Sequence, residues 1–410
     1  MSAFTLLRNR YVQSVVVSNL FSQFGIWVRK FSILLFVTEK THGNAVAVSL
    51  IFVAEYAPIF IFSFLGGTFA DRWRRPKRTV IWADLLSMVS VYVVIVLMAA
   101  GAWQTVFGVT LCSSVLSQFA QPSGMKLFRL HVPREQAQSG MSLLQTLFSV
   151  YMILGPIFGT FVYERLGIDR ALAVTGTAFL LSALAMLFIP PDGASDLGNQ
   201  SARPSLKREM MDGIRYVWSR RVLLSSCMTF MIVGLGVGLV SPLSIFLVTQ
   251  RLGLPASDLQ WITIPYGAGE IIGGMATFAV ARKVLPHHLL MLGLLADAMG
   301  IAASGMSTTL WMTMAAQWWT ALFQPAILIG NNTLVMRNTE PDYIGRVTGI
   351  RTPLMTGSMV IMMGVSGVAK NVMPLTTLYA LAGACFFVGF LITGCTVKSH
   401  DAGLAPKVKL

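Results

Sequence analysis

The chain has 410 residues, of which 55% are hydrophobic and 12% charged, with a mean hydropathy of +0.68 and a net charge of +14. A water-soluble domain carries about 25% charged residues, so too little polar surface is available here to wrap a globule in water. Backbone groups in lipid must bond within the protein, which leaves helices or a closed barrel. Long unbroken apolar runs select helices.

Taken in chain order, apolar segments predict spans near 12–38, 45–69, 79–100, 104–127, 140–163, 168–189, 222–249, 258–281, 288–306, 309–335, 347–369 and 374–396. Each is long enough for a bilayer crossing, which takes roughly 20 residues. The expected fold class is an all-α membrane protein of twelve transmembrane helices in two pseudo-symmetric six-helix bundles. We delimit the bundles as 1–189 and 222–397, with a linker at 190–221 and a tail at 398–410. The first segment has no small-residue cleavage site and is expected to stay in the membrane. All four cysteines lie inside apolar segments, so no disulfide framework is expected.

Basic residues divide unequally between the two sides of this layout, 24 on the side of the termini and five on the other. Positively charged loops stay in the cytoplasm, which predicts both termini there. The same asymmetry accounts for the net charge without nucleic acid. In the linker, Lys207–Arg221 interleaves Met211, Ile214, Tyr216, Val217 and Trp218 with charges at helical spacing. This fits either a helix lying at the lipid headgroups or a solvated connector.

The two halves repeat features in the same order. Phe119-Ala120-Gln121-Pro122 in span 4 parallels Phe323-Gln324-Pro325 in span 10, and Arg129 and Pro133 parallel Arg337 and Pro341. Such ordered matches point to a duplication, as in carriers built from parallel repeats.

Between spans 2 and 3 runs Gly66-Gly67-Thr68-Phe69-Ala70-Asp71-Arg72-Trp73-Arg74-Arg75-Pro76-Lys77-Arg78. Paired glycines permit close helix approach, and Asp71 can cap a helix or pair with an arginine. The segment resembles the loop signature of the major facilitator superfamily, with Arg74 in place of a glycine and Pro76 as an apparent insertion. The resemblance implies a conformational latch involving Gly67, Asp71, Arg72, Arg75 and the nearby Asp84. Gly155-Pro156-x-x-Gly159 in span 5 resembles the family's antiporter motif, where proline bends the helix and glycines allow tight packing. Val132-Pro133-Arg134-Glu135, Glu340-Pro341-Asp342-Tyr343-Ile344-Gly345-Arg346 and Ala83-Asp84-Leu85-Leu86 are similar to the branch holding macrolide efflux proteins and the enterobactin exporter.

That resemblance implies a proton-coupled efflux antiporter working by alternating access on a drug-like or siderophore-like small molecule. It would be a monomer in a bacterial inner membrane, with protons, substrate and lipid as its partners. Uptake or facilitated diffusion of a metabolite is an alternative, and a non-transporting sensor or scaffold is another.

Charges inside spans cost about 2.5–3.5 kcal/mol or more near the bilayer centre. A carboxyl poised between its two protonation states can carry a proton, so Glu55, Glu270 and Asp297 are candidates for coupling. Arg29 and Lys30, in the outer half of span 1, can pair with Glu55, receive an anionic substrate, or snorkel to the interface. Spans 1, 4, 7 and 10 line the substrate cavity in the family, which adds Gln121, Gln317, Trp318, Gln324 and Asn331 as candidates. No catalytic set emerges from the scattered histidines. We expect no enzyme activity, metal or cofactor.

Overall fold

In the computed structural model, residues 10–72, 75–131, 137–189, 206–281 and 283–404 are described. They form helices joined by short turns, and among them there is no strand. Two compact units divide the chain, Met1–Asn199 and Gln200–Leu410.

The first unit holds α1 (Arg10–Lys40), α2 (Ala45–Arg72), α3 (Pro76–Ala99) and α4 (Thr105–His131). The stretch Ala137–Leu187 carries two further helices, α5 and α6, which meet at Gly167. Gly167 has φ +75°, a left-handed conformation that a side chain would strain, and this bend lets two apolar spans follow one another without a loop. Packing in this unit runs through Val12, Val15, Val16, Val80, Leu127, Phe128, Met186 and Ile189. Lys77 is buried because its ammonium donates to the carbonyls of Leu187 and Ile189, capping the end of α6.

The second unit begins with α7 (Leu206–Ser219), followed by α8 (Arg221–Val240), which extends through tighter and wider turns to Arg251. Then come α9 (Leu259–Val280), α10 (Pro286–Met306), α11 (Leu310–Asn338), α12 (Ile344–Val372) and α13 (Leu375–Leu404). With α7 set aside, each unit has six long helices, as the sequence predicts.

Eight of the described helical stretches are long and apolar enough to cross a membrane on composition alone, counting α5 and α6 as one. The weaker three are α4, α9 and α11. They carry Ser113, Ser114, Ser117, Gln118 and Gln121, then Glu270, then Gln317, Gln324, Asn331 and Asn332. Polar residues lower their hydropathy and mark them as the helices with something other than lipid to face.

The linker stretch Leu206–Ser219 forms the helix α7. One face of α7 docks on the second unit. Tyr216 stacks on Tyr343 at 4.1 Å, Arg220 pairs with Glu340 at 2.6 Å, and Gly213 sits against Arg346 and Ile350. Met211, Ile214 and Trp218 stay exposed on its other side.

Candidate functional site: intramembrane polar clusters

In the first unit the charges of α1 and α2 meet. Lys30 Nζ lies 3.2 Å from Glu55 Oε1, with both side chains partly accessible. The same ammonium is 5.7 Å from the ring centres of Trp27 and Tyr56. Arg29 is 3% exposed, and its Nη1 donates to the Val109 carbonyl of α4 at 3.1 Å, while its Nε has no partner among the described residues. From the α1–α2 turn, Lys30 and Glu55 are each ten residues into their helix, or about 15 Å. The pair therefore lies within the apolar stretches of both helices, and the burial of Arg29 does not fit snorkelling. Ser114 of α4 also donates to the Glu55 carbonyl, so α1, α2 and α4 converge here.

The glycines of the antiporter motif sit on the same stretch of α1. A Cβ on Gly159 would lie 2.7 Å from Phe31 Cβ, and one on Gly155 would enter the Trp27 ring. Trp27 and Phe31 are themselves stacked at 5.9 Å. The small residues thus let α5 reach the part of α1 that carries Arg29 and Lys30, while Pro156 lies within the helix between them.

A cleft of about 330 Å³ opens among α1, α3, α4, α5 and α6. Its polar lining includes Asn19, Gln23, Asp84, Ser117, Gln121 and Tyr151. Asp84 is 4% exposed, and Ser182 of α6 donates to its Oδ2 at 2.5 Å. This carboxyl, grouped with the latch by resemblance, is therefore turned into the helical bundle. Arg75 is exposed just before α3. The side chains of Gly67, Asp71 and Arg72 lie outside the described residues, as does the Val132–Glu135 motif.

The second unit separates its candidates. Glu270 on α9 is partly buried, one turn beyond Tyr266, whose hydroxyl donates to Gln324 Oε1 on α11. Asp297 on α10 is 1% exposed, and its Oδ1 has no partner among the described residues. Asn331 is fully buried and accepts from Ser226 of α8 at 2.6 Å. Gln317 is partly buried and Trp318 is exposed.

Sequence reasoning does not single out Arg351. The residue is 8% exposed, donates to Asn332 Oδ1 at 2.7 Å, and lies over the Phe230 ring at 4.9 Å. Its position two turns inside α12 was the available signal.

Two units of six long apolar helices, with charges held between helices, define a multi-span membrane carrier. A profile of the Major Facilitator Superfamily matches residues 15–365, and the chain belongs to that superfamily of transporters. It is 24% identical to the uncharacterized MFS-type transporter YkuC of Bacillus subtilis, over 97% of this chain and 94% of the relative. It is 25% identical to the multidrug efflux pump Tap of Mycolicibacterium fortuitum, over 75% of this chain and 77% of the relative. Macrolide efflux protein A of Streptococcus pyogenes is 24% identical, with 82% and 83% covered. Among solved structures, the nucleoside transporter NupG matches with a TM-score of 0.74 at 14% identity, over 95% of this chain and 100% of that one. That last likeness concerns the fold. Transport, not enzymatic chemistry, is the activity of this family.

Proposed function

We propose that this transporter is a proton-coupled exporter of a small, drug-like or metallophore-like molecule in a bacterial inner membrane, with both termini in the cytoplasm. The observation that carries the reading is the Lys30–Glu55 pair, held between two apolar helices. Held as an ion pair, it offsets part of the cost of two intramembrane charges. Protonation of Glu55 removes one charge and frees Lys30, so the pair has two electrostatic states separated by a single proton. With Arg29 alongside, the cluster carries one more positive charge than negative while Glu55 is ionised. That surplus favours an anionic group on the substrate or a conformation that brings a counter-charge near.

Glu270 and Asp297 are the coupling candidates in the second unit. Gln121, Gln317, Trp318, Gln324 and Asn331 supply amide and aromatic contacts to the substrate. Gly67, Asp71, Arg72 and Arg75 form the latch of the alternating-access cycle. Export rather than uptake is supported by Gly155-Pro156-x-x-Gly159 and by the efflux relatives Tap and macrolide efflux protein A.

Expression in cells lacking their own efflux pumps provides the test. Accumulation of a macrolide or an anionic metallophore should fall when the transporter is present and recover in Glu55→Gln. Unchanged accumulation of both compound classes would contradict export.

A further inference from the structure

We infer that Asp84 is a proton-exchange site of the first unit, served by the hydroxyls of Ser182 and Ser18 and reached through the cleft in front of it. The case begins with a hydroxyl that has more oxygen neighbours than protons. Ser182 Oγ lies 2.5 Å from Asp84 Oδ2, 2.8 Å from Ser18 Oγ and 2.9 Å from the Ser18 carbonyl. A serine has one proton to donate, so these three contacts cannot all be donations from Ser182. Two arrangements satisfy the geometry.

When Asp84 is ionised, Ser182 donates to Oδ2 and Ser18 donates to Ser182. The 2.5 Å separation belongs to the charge-assisted range for hydroxyl on carboxylate. When Asp84 takes up a proton, an O–H bond forms on the carboxyl, which then donates to Ser182 Oγ. Ser182 in turn rotates its own proton to the Ser18 carbonyl. No heavy atom has to move. The acquired proton comes from water in the cleft and returns there, so the exchange is balanced without any other reactant.

The surroundings suit such a site. Asp84, Ser18 and Ser182 all line the cleft, and all are at least nine-tenths buried. Tyr151 also lines it, is 8% exposed, and has a hydroxyl with no partner among the described residues. A buried polar group of that kind is ordinarily bonded to water or ligand. Among the described residues, the carboxyl has no ion-pair partner. Among the described residues, α1 carries no titratable side chain between Tyr11 and Arg29, and α6 carries none between Arg170 and Leu187. Tyr151 is the titratable group that α5 turns into the cleft, and Lys126 of α4 is not part of the lining. On α3 itself the cations are Arg78 and Lys77, six and seven residues before Asp84, and Lys77 is occupied by the Leu187 and Ile189 carbonyls.

Proton binding at Asp84 does not require Glu55 to couple transport; only its part in the transport cycle rests on the coupled-export reading. The test is infrared difference spectroscopy on the full-length protein in lipid, taken between mildly acidic and mildly alkaline pH. A carboxylic C=O band should appear at acidic pH, be lost in Asp84→Asn, persist in Asp84→Glu, and change frequency or titration midpoint in Ser182→Ala. A wild-type difference spectrum that Asp84→Asn leaves unchanged would overturn the inference. If Asp84→Asn does not fold, Ser182→Ala decides, and an unaltered band there would overturn it equally. A wild-type protein that fails to export leaves this titration intact, so the two readings fail separately.

Discussion

Lys30 and Glu55 face each other across α1 and α2 at 3.2 Å, each about 15 Å from the turn that joins their helices. Charge at that depth is tolerated because each side chain neutralises the other, and because Trp27 and Tyr56 present ring faces to the ammonium. Removing one partner leaves the other uncompensated. Removing both leaves an apolar seam.

A double-mutant cycle should therefore show strong coupling. Lys30→Met should lower thermal stability in detergent more than Lys30→Met combined with Glu55→Gln, with an interaction energy of about 0.5–3 kcal/mol. Additive losses would mean that the two residues do not act as a pair.

Arg29 should behave differently. Among the described residues its guanidinium has one carbonyl partner and an unpartnered Nε, and exchanging a poorly paired buried charge for an apolar chain is often neutral or stabilising. Arg29→Met should keep stability within about 1 kcal/mol of wild type and lose transport of an anionic substrate. Undiminished transport would remove Arg29 from the substrate path.

The α1–α5 contact depends on absent side chains. Gly159→Ala drives a methyl to 2.7 Å from Phe31 Cβ, and overpacking of this kind costs about 1–3 kcal/mol. Gly155→Leu, aimed into the Trp27 ring, should be worse. At Gly167 the space is open and the backbone is the constraint, so Gly167→Ala should cost about 1–3 kcal/mol. Melting temperatures of the three variants check the order.

The docking of α7 can be weighed against its ion pair. Arg220 and Glu340 are exposed, and such pairs contribute about 0–1 kcal/mol, so Arg220→Ala should scarcely alter stability. Gly213→Leu pushes a side chain between α7 and Arg346 and Ile350. It should free the helix, which proteolysis near Leu206–Ser219 would detect.

The helices were legible because long apolar runs admit one structure in lipid. The α5–α6 bend was legible from the polar residues around Gly167, although not its left-handed backbone. What sequence could not give was the direction of a side chain. Arg351 follows Arg337 and Arg346 in the sequence, yet it lies over Phe230 inside the second unit. Asp84 was grouped with the loop because it is close to it in sequence, while its partner Ser182 is 98 residues away. The motif around Glu340–Tyr343 stood out as a resemblance, and only the structure gave it a contact, the linker helix α7.

Coupling of substrate movement to protons is the centre of this account. It is measured most directly in everted membrane vesicles carrying an imposed pH gradient reported by a fluorescent dye. Substrate should dissipate the gradient with the wild-type protein and leave it intact with Glu55→Gln. Wild-type vesicles that transport substrate with no change in the gradient would contradict it.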